Sequence, residues 1–306
     1  MSRENFTIPS SRGDEELNCY RWMPDVEPIA SLQIVHGMTE HILRYDDFAR
    51  YLNSRGFAVY GHDHLGHGGT SEEKGFIAEE HGDDMLVADM GLVNSRMRSD
   101  HPGIPHFVMG HSMGSFVTRR FLTVGGDDID AAVIMGTGQQ AGYQVSLALS
   151  VAKLLCMVKG NHHRSDMLNG LVFGSYDKKF DTPDLPNKWL CANPEALKAY
   201  DEDPDCGFQF TDAAYRDLFT MIRRIEKGEG FERIPENLPV LFVSGEEDPV
   251  GNFGKGVEKA KAGLEGRGLR PEIRLYPGMR HEILNEVDHE SVYRDIAAWL
   301  EQRITP

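Results

Sequence analysis

Cysteine is scarce in this sequence of 306 residues, and the four that occur are far apart. Cys19, Cys156, Cys191 and Cys206 form neither a C-x-x-C pair nor a short metal-binding spacing. Disulfide frameworks and zinc ribbons are built from such pairs. The cysteines therefore predict a reducing compartment, and we expect a cytoplasmic protein.

Long apolar runs are missing as well. A signal peptide needs a basic flank before its apolar segment. Here position 4 is acidic, and no apolar run follows it. The longest apolar stretch, residues 145–158, contains Ser146, Ser150 and Lys153. It is shorter than the roughly 20 residues that a membrane-spanning helix requires. We expect neither a leader nor a membrane span.

Basic charge is in the minority, with 32 Lys and Arg against 48 Asp and Glu, a net charge of −16. Nucleic-acid affinity depends on an excess of Lys and Arg, so no nucleic-acid partner is expected. The negative charge is unevenly distributed along the chain, because no Asp or Glu lies between Asp130 and Asp166. That stretch carries Lys153, Lys159 and Arg164 among many apolar residues.

Apolar residues make up 40% of the chain, which is enough for a large core. A hairpin is predicted from residues 6–9 and 17–22. Strand and helix patterns then alternate, which predicts a mostly parallel central sheet with helices on both faces. The predicted parallel strands are residues 31–35, 57–60, 106–109, 131–135, 239–243 and 272–276, and the predicted helices are 45–55, 84–98, 112–123, 257–264 and 291–303.

The alternation stops between about residues 136 and 235. Helical patterns at 143–159, 194–200 and 212–227 occur there without a convincing strand. The fold class that follows is α/β, with a helical lid inserted into one domain. We predict a first core segment at 1–136, the inserted lid at 137–235 and a second core segment at 236–306.

A candidate nucleophile lies where a predicted strand meets a predicted helix. The segment Gly110-His111-Ser112-Met113-Gly114 fits the pattern G-x-S-x-G. Small residues on both sides of a serine allow the sharp turn that exposes its hydroxyl at a helix N-terminus. The alternative is an ordinary strand-to-helix turn with a capping serine.

A serine hydroxyl needs a base to remove its proton and an acid to orient that base. Asp248 and His281 follow two late strands, at the sheet edge where parallel sheets place their active sites. Glu246 and Glu247 compete with Asp248 for the role of the acid. His289 is predicted to be a surface residue.

The oxyanion of an acyl-transfer reaction needs two N–H donors. The backbone N–H of Met113 follows the serine directly, and Met38 lies in a loop after an early strand. His36 begins that loop, and Gly37 gives its backbone room to turn.

Five motifs occur in an order that resembles the monoacylglycerol lipase and lysophospholipase branch of the α/β-hydrolases. They cover nearly the whole predicted core. The motifs are His36-Gly37-x-x-Glu40-His41-x-x-Arg44-Tyr45, Asp63-x-x-Gly66-His67-Gly68-x-x-Ser71, Gly110-His111-Ser112-Met113-Gly114, Ser244-Gly245-x-x-Asp248-Pro249-Val250-Gly251 and Arg280-His281-Glu282-Ile283-Leu284-Asn285-Glu286.

The resemblance implies an α/β-hydrolase fold with Ser112 as nucleophile, Asp248 as acid, His281 as base, and Met38 with Met113 as the oxyanion hole. It also implies hydrolysis of a small lipid-like ester with an apolar acyl chain, without a metal or organic cofactor. A short-chain or aryl carboxylesterase, or an acyltransferase, would use the same residues. A non-catalytic protein on the same fold is the alternative from another class. The sequence specifies neither head group nor oligomeric state.

Two other patterns have competing interpretations. His62-x-His64-x-x-His67 has the spacing of some metal ligands, but Gly66 stands where such sites usually have an aspartate, so we interpret the segment as a turn of the hydrolase fold. The acid-free helix at 143–159 either rests on a lipid surface or covers the active site.

Overall fold

The fold is taken from a computed structural model that describes residues 2–139, 142–180 and 186–304. An eight-stranded sheet runs through the molecule in the order β1-β2-β4-β3-β5-β6-β7-β8. Its strands are β1 (Ser2–Pro9), β2 (Glu16–Met23), β3 (Ala30–Val35), β4 (Phe57–His62), β5 (His106–His111), β6 (Ala131–Met135), β7 (Val240–Gly245) and β8 (Glu272–Tyr276).

The first two strands form the predicted hairpin, which joins the sheet antiparallel to β4. All pairings from β4 to β8 are parallel. Every residue of β3 to β7 is buried, because helices cover both faces of a parallel sheet. The predicted α/β fold with a mostly parallel sheet is confirmed.

Nine α-helices occur in the described residues. Five flank the sheet and four lie between β6 and β7. In chain order they are α1 (Asp46–Ser54), α2 (Gly82–Asp100), α3 (Met113–Gly125), α4 (Gly142–Lys159), α5 (Asp166–Phe173), α6 (Pro194–Glu202), α7 (Asp212–Glu226), α8 (Lys255–Glu265) and α9 (His289–Glu301).

The core consists of two main layers, one on each face of the sheet. Alternate residues of β5 belong to different layers: Val108 packs with α2, α3 and α7, whereas Phe107 and Met109 pack with α1 and α9. This two-residue period is the pattern expected for a strand buried on both sides. The two layers hold the sheet rigid beneath the loops at its carboxyl edge.

The segment between β6 and β7 is helical in its described parts, as the sequence predicted, but α5 was missed. It has only eight residues, with Gly170 in its interior. The Ser165 hydroxyl caps it by accepting a bond from the Leu168 N–H. A helix this short has too few turns to show a clear apolar period. No helix in the described ranges combines the length and apolar character needed to span a membrane.

Candidate active site

Ser112 lies in a strained turn between β5 and α3. Its backbone φ is 53° and its ψ is −118°, an unusual conformation for a residue other than glycine. Glycine is required on both sides: a Cβ at Gly110 would lie 2.2 Å from the Gly114 carbonyl oxygen, and one at Gly114 would lie 2.1 Å from the Val35 carbonyl oxygen. The turn therefore has the geometry that presents a serine hydroxyl at a helix N-terminus.

Asp248 and His281 meet across the loops after β7 and β8. The His281 Nδ1 lies 3.0 Å from Asp248 Oδ2, and both residues are buried. The Ser244 hydroxyl donates to Oδ2 and the Val250 N–H donates to Oδ1 of the same carboxylate. Burial alone would raise the pKa of Asp248, but His281 and these donors lower it. The carboxylate is thus charged and can orient the imidazole.

The two competing acids do not reach the histidine. Glu246 and Glu247 are both exposed, and Glu247 Oε2 lies 3.9 Å from the Arg280 guanidinium. The His281 ring is held between two other rings, with centroid distances of 4.7 Å to His111 and 5.0 Å to Trp189. One of these rings belongs to the core and the other to the segment between β6 and β7.

The loop after β3 packs directly against Ser112. A Cβ at Gly37 would lie 3.1 Å from the Ser112 Cβ, so glycine permits this close approach. His36 links this loop to the loop after β4: its Nδ1 donates to the Gly37 carbonyl, and its Nε2 accepts the His64 N–H. Met38, next in the loop, lines one cavity together with Ser112, Met113 and His281.

A buried ion network joins this loop to the histidine loop. Arg44 binds Glu282 through two contacts of 2.6 Å and Glu40 through one of 2.7 Å. Burial alone would raise the pKa values of both carboxyl groups, but Arg44 and, after it, His111 lower them. These residues occur in the motifs of the sequence, but their shared role was not predicted. The i,i+4 spacing of Glu40 and Arg44 was the available signal.

His111 connects the same network to the turn at Ser112. Its Nδ1 lies 2.9 Å from the Tyr45 hydroxyl and 3.3 Å from Glu40 Oε1, and its Nε2 lies 3.3 Å from the His281 carbonyl oxygen. Tyr45 itself donates to Glu40, so both ring nitrogens of His111 serve as donors. Burial alone would lower the pKa of His111, but the bond to Glu40 raises it. The three loops around Ser112 are therefore linked through one charged cluster.

A cavity of about 1100 Å³ opens above Ser112. Apolar side chains from the segment between β6 and β7 form most of its far wall, including Val145, Ala148, Val151, Leu168, Val172 and Leu218. A cavity of this size and composition accommodates a long apolar group next to the serine.

Residues 26–288 match the protein family described as Hydrolase_4, serine aminopeptidase, S33. The chain belongs to this hydrolase family. A monoglyceride lipase homolog of Monkeypox virus is 27% identical over 296 residues, covering 95% of this chain and 96% of the relative. A monoacylglycerol lipase of Mycolicibacterium smegmatis is 26% identical, covering 91% and 90%. Among solved structures, a thermostable carboxyl esterase from Bacillus coagulans in complex with glycerol matches with a TM-score of 0.93 and 26% identity, covering 100% of both chains.

These similarities confirm the resemblance that the motifs predicted. The chain has the α/β-hydrolase fold and is a carboxylic ester hydrolase of the monoacylglycerol lipase type. The family description names an aminopeptidase, whereas the two relatives above are described as a monoglyceride lipase homolog and a monoacylglycerol lipase.

Two of the three histidines with metal-like spacing, His64 and His67, bind backbone groups, whereas neither ring nitrogen of buried His62 has a hydrogen-bond partner in the described part of the chain. His67 accepts the Thr39 N–H at Nε2 and donates from Nδ1 to the Leu65 carbonyl. His64 donates to the His36 carbonyl. Burial lowers the pKa of His64 to about 4 and that of His67 to about 3, so both rings are neutral at neutral pH. They brace the loop that carries Met38.

Proposed function

We propose that Ser112, His281 and Asp248 form a catalytic triad that hydrolyses esters through an acyl-enzyme. The observation that carries the proposal is the meeting of three elements at one cavity: the strained Ser112 turn, the buried His281–Asp248 pair and the glycine loop at Met38. Acyl transfer needs a nucleophile, a base oriented by an acid, and oxyanion donors, and these three elements would supply them.

In the first half-reaction, His281 takes the proton of Ser112 as its oxygen attacks the ester carbonyl. The backbone N–H groups of Met38 and Met113 stabilise the oxyanion, and His281 then protonates the leaving alcohol. Water repeats the sequence on the acyl-enzyme and releases the acid. Asp248 keeps the imidazole in the required tautomer and stabilises its charged form.

The substrate class is an ester of an apolar acyl chain with a small polar alcohol, of the monoacylglycerol or lysophospholipid type. The apolar wall of the cavity supports this choice, because a long acyl chain can be buried there. The segment at 137–235 would act as the lid over the chain, between core segments at 1–136 and 236–306.

A chain-length profile tests the substrate class. We expect p-nitrophenyl esters from acetate to palmitate to show the highest kcat/KM at medium or long chains, together with turnover of monoolein. A maximum at acetate or butyrate without monoolein turnover would contradict the lipase proposal and favour a short-chain esterase.

The outer face of α4 supports a second part of the proposal, a transient contact between the lid and a lipid surface. Val145 and Val151 face the cavity, whereas Leu154, Met157 and Val158 are exposed by 54%, 77% and 66%. Leu147 lines the cavity and is also 67% exposed, so the apolar surface of α4 continues from the cavity to the outside of the helix. Exposed Lys153 and Lys159 lie on the same acid-free helix, which suits an anionic surface.

Sedimentation with phosphatidylglycerol vesicles tests the contact. We expect the double variant L154S/M157S to lose most vesicle binding while its acetate-ester activity stays unchanged. V287S removes an equally exposed apolar side chain outside the lid and serves as the control, with binding retained. Equal loss in both variants would contradict a lid-mediated contact.

A further inference from the structure

Three metal-ligating side chains meet where the lid touches the loop after β3. His41 lies in that loop, and Asp203 and Cys206 follow α6. One ligand atom from each residue lies within 4.8 Å of the other two. His41 and Asp203 are 162 positions apart in the sequence, so the cluster is created by the tertiary fold.

The donor set suits zinc. Imidazole nitrogen, thiolate sulfur and carboxylate oxygen are the protein ligands of Zn²⁺, with bonds of about 2.0–2.3 Å and tetrahedral geometry. Such bonds place neighbouring nitrogen and oxygen ligands about 3.4 Å apart. His41 Nε2 and Asp203 Oδ2 are 2.9 Å apart, so this pair would widen by about half an ångström. The three side chains are only partly buried, which leaves the fourth position to water.

The charge around the cluster also favours a cation. Glu40, Glu282 and Asp203 all act electrostatically on Cys206, and Arg44 is the opposing positive group. Carboxylates therefore outnumber guanidinium groups near the sulfur.

The ligand loop is already ordered and attached to the loop after β3. The Asp205 N–H donates to Asp203 Oδ1 at 2.9 Å, and the Cys206 N–H donates to the Asp203 carbonyl at 3.0 Å. The Gly207 N–H donates to the Thr39 carbonyl, also at 3.0 Å. Little reorganisation is needed, because backbone bonds already fix two of the three ligands.

We propose that His41, Asp203 and Cys206 bind Zn²⁺ or a similar divalent cation that fastens the lid to the loop after β3. These three described residues are not part of the cavity lining. The ion would hold two segments together beside the cavity and would take no part in ester hydrolysis. The simpler interpretation is a metal-free hydrogen bond between His41 and Asp203.

Cobalt titration of the full chain separates the two interpretations. We expect the near-ultraviolet thiolate-to-cobalt absorption at one Co²⁺ per chain, its loss in C206S, and affinity weaker by about tenfold or more in H41Q. C156S removes a half-exposed lid cysteine and is the control that keeps the absorption. No absorption in the unaltered protein, or absorption that persists in C206S, would overturn the proposal.

Thermal unfolding gives an independent readout. Saturating Zn²⁺ should raise Tm by at least about 2 °C in the unaltered protein and in C156S, and by less than half as much in C206S and H41Q. The metal-free variants are compared first, so that a folding defect is recognised. A Tm rise that is equal in all four proteins would place the ion elsewhere and overturn the assignment.

Discussion

The core side of the cavity is organised by buried charge, whereas the lid side presents apolar surface. On the core side, Arg44 is 12% exposed between Glu40 and Glu282, whose side chains are 4% and 5% exposed. On the lid side, Leu147 and Met157 of α4 are 67% and 77% exposed. We therefore expect substitutions on the core side of the cavity to lower stability strongly, and substitutions on the exposed lid side to change it little.

The difference has a physical basis in the two kinds of interaction. Removing one partner from a buried ion network leaves the others charged and without compensation, which is strongly destabilising. Exchanging an exposed apolar side chain changes stability little. Under the proposed function, the core side would fix the geometry of the chemistry and the lid side would select the acyl chains that enter.

The largest effect on activity is expected from substituting the acid of the proposed triad. D248N should lower kcat by about 10³–10⁴-fold, because the amide holds His281 in the wrong tautomer. E247Q, altered one position earlier on the exposed part of the loop, should stay within about twofold in steady-state ester assays. Equal losses in the two variants would contradict the assignment of the acid.

Breaking the ion network should cost stability as well as activity. R44M leaves Glu282 without its ion pair and Glu40 with only His111 as a charged partner, so we expect about 3–5 kcal/mol lower free energy of unfolding in urea titrations. R50M removes an exposed arginine that pairs with Asp46 and should cost about 0–1 kcal/mol. If R44M lowered the free energy of unfolding as little as R50M, the contrast between buried and exposed charge would be refuted.

The buried neutral histidines predict a pH dependence. The pKa of His64 is lowered from 6.5 to about 4, so the unfolded chain binds the proton first as pH falls. Stability should fall from about pH 6.5 towards pH 4, by about 1.4 kcal/mol per pH unit for this ring. H64Q keeps a donor and removes the titration, so its urea-unfolding curve should be flatter between pH 7 and 5. If the unfolding free energy of H64Q depended on pH as steeply as that of the unaltered protein, this would argue against a neutral buried His64 ring.

The smallest effect is expected on the lid. V151W narrows the apolar wall of the cavity and should reduce kcat/KM for palmitate esters by about tenfold, with little change for acetate esters. L154W places the same side chain on the outer face of α4 and should leave the profile unchanged. A uniform loss on all esters would show that the lid also positions the chemistry.

The parallel sheet and the candidate triad could be predicted because their signals are local. Gly110, Ser112 and Gly114 lie within one turn, and Asp248 and His281 each follow an apolar strand. Their contact follows from the topology of parallel strands, whose carboxyl ends share one edge.

The ion network was missed because only its Glu40–Arg44 pair has a local signal. Arg44 and Glu282 are 238 positions apart, and nothing in either segment indicates that they pair. The helix α5 was missed because it is short: eight residues are too few to show a clear helical period of apolar positions. The zinc-type cluster was hidden in the same way as the network, because its ligands come from two distant segments.

Covalent labelling tests the central proposal most directly. A fluorophosphonate probe followed by mass spectrometry of the digested protein should place one phosphonyl group on Ser112, and S112A should remain unlabelled. D248N should label much more slowly than E247Q. An unaltered protein that stays unlabelled, or an adduct on another residue such as Ser115, would contradict the proposed nucleophile.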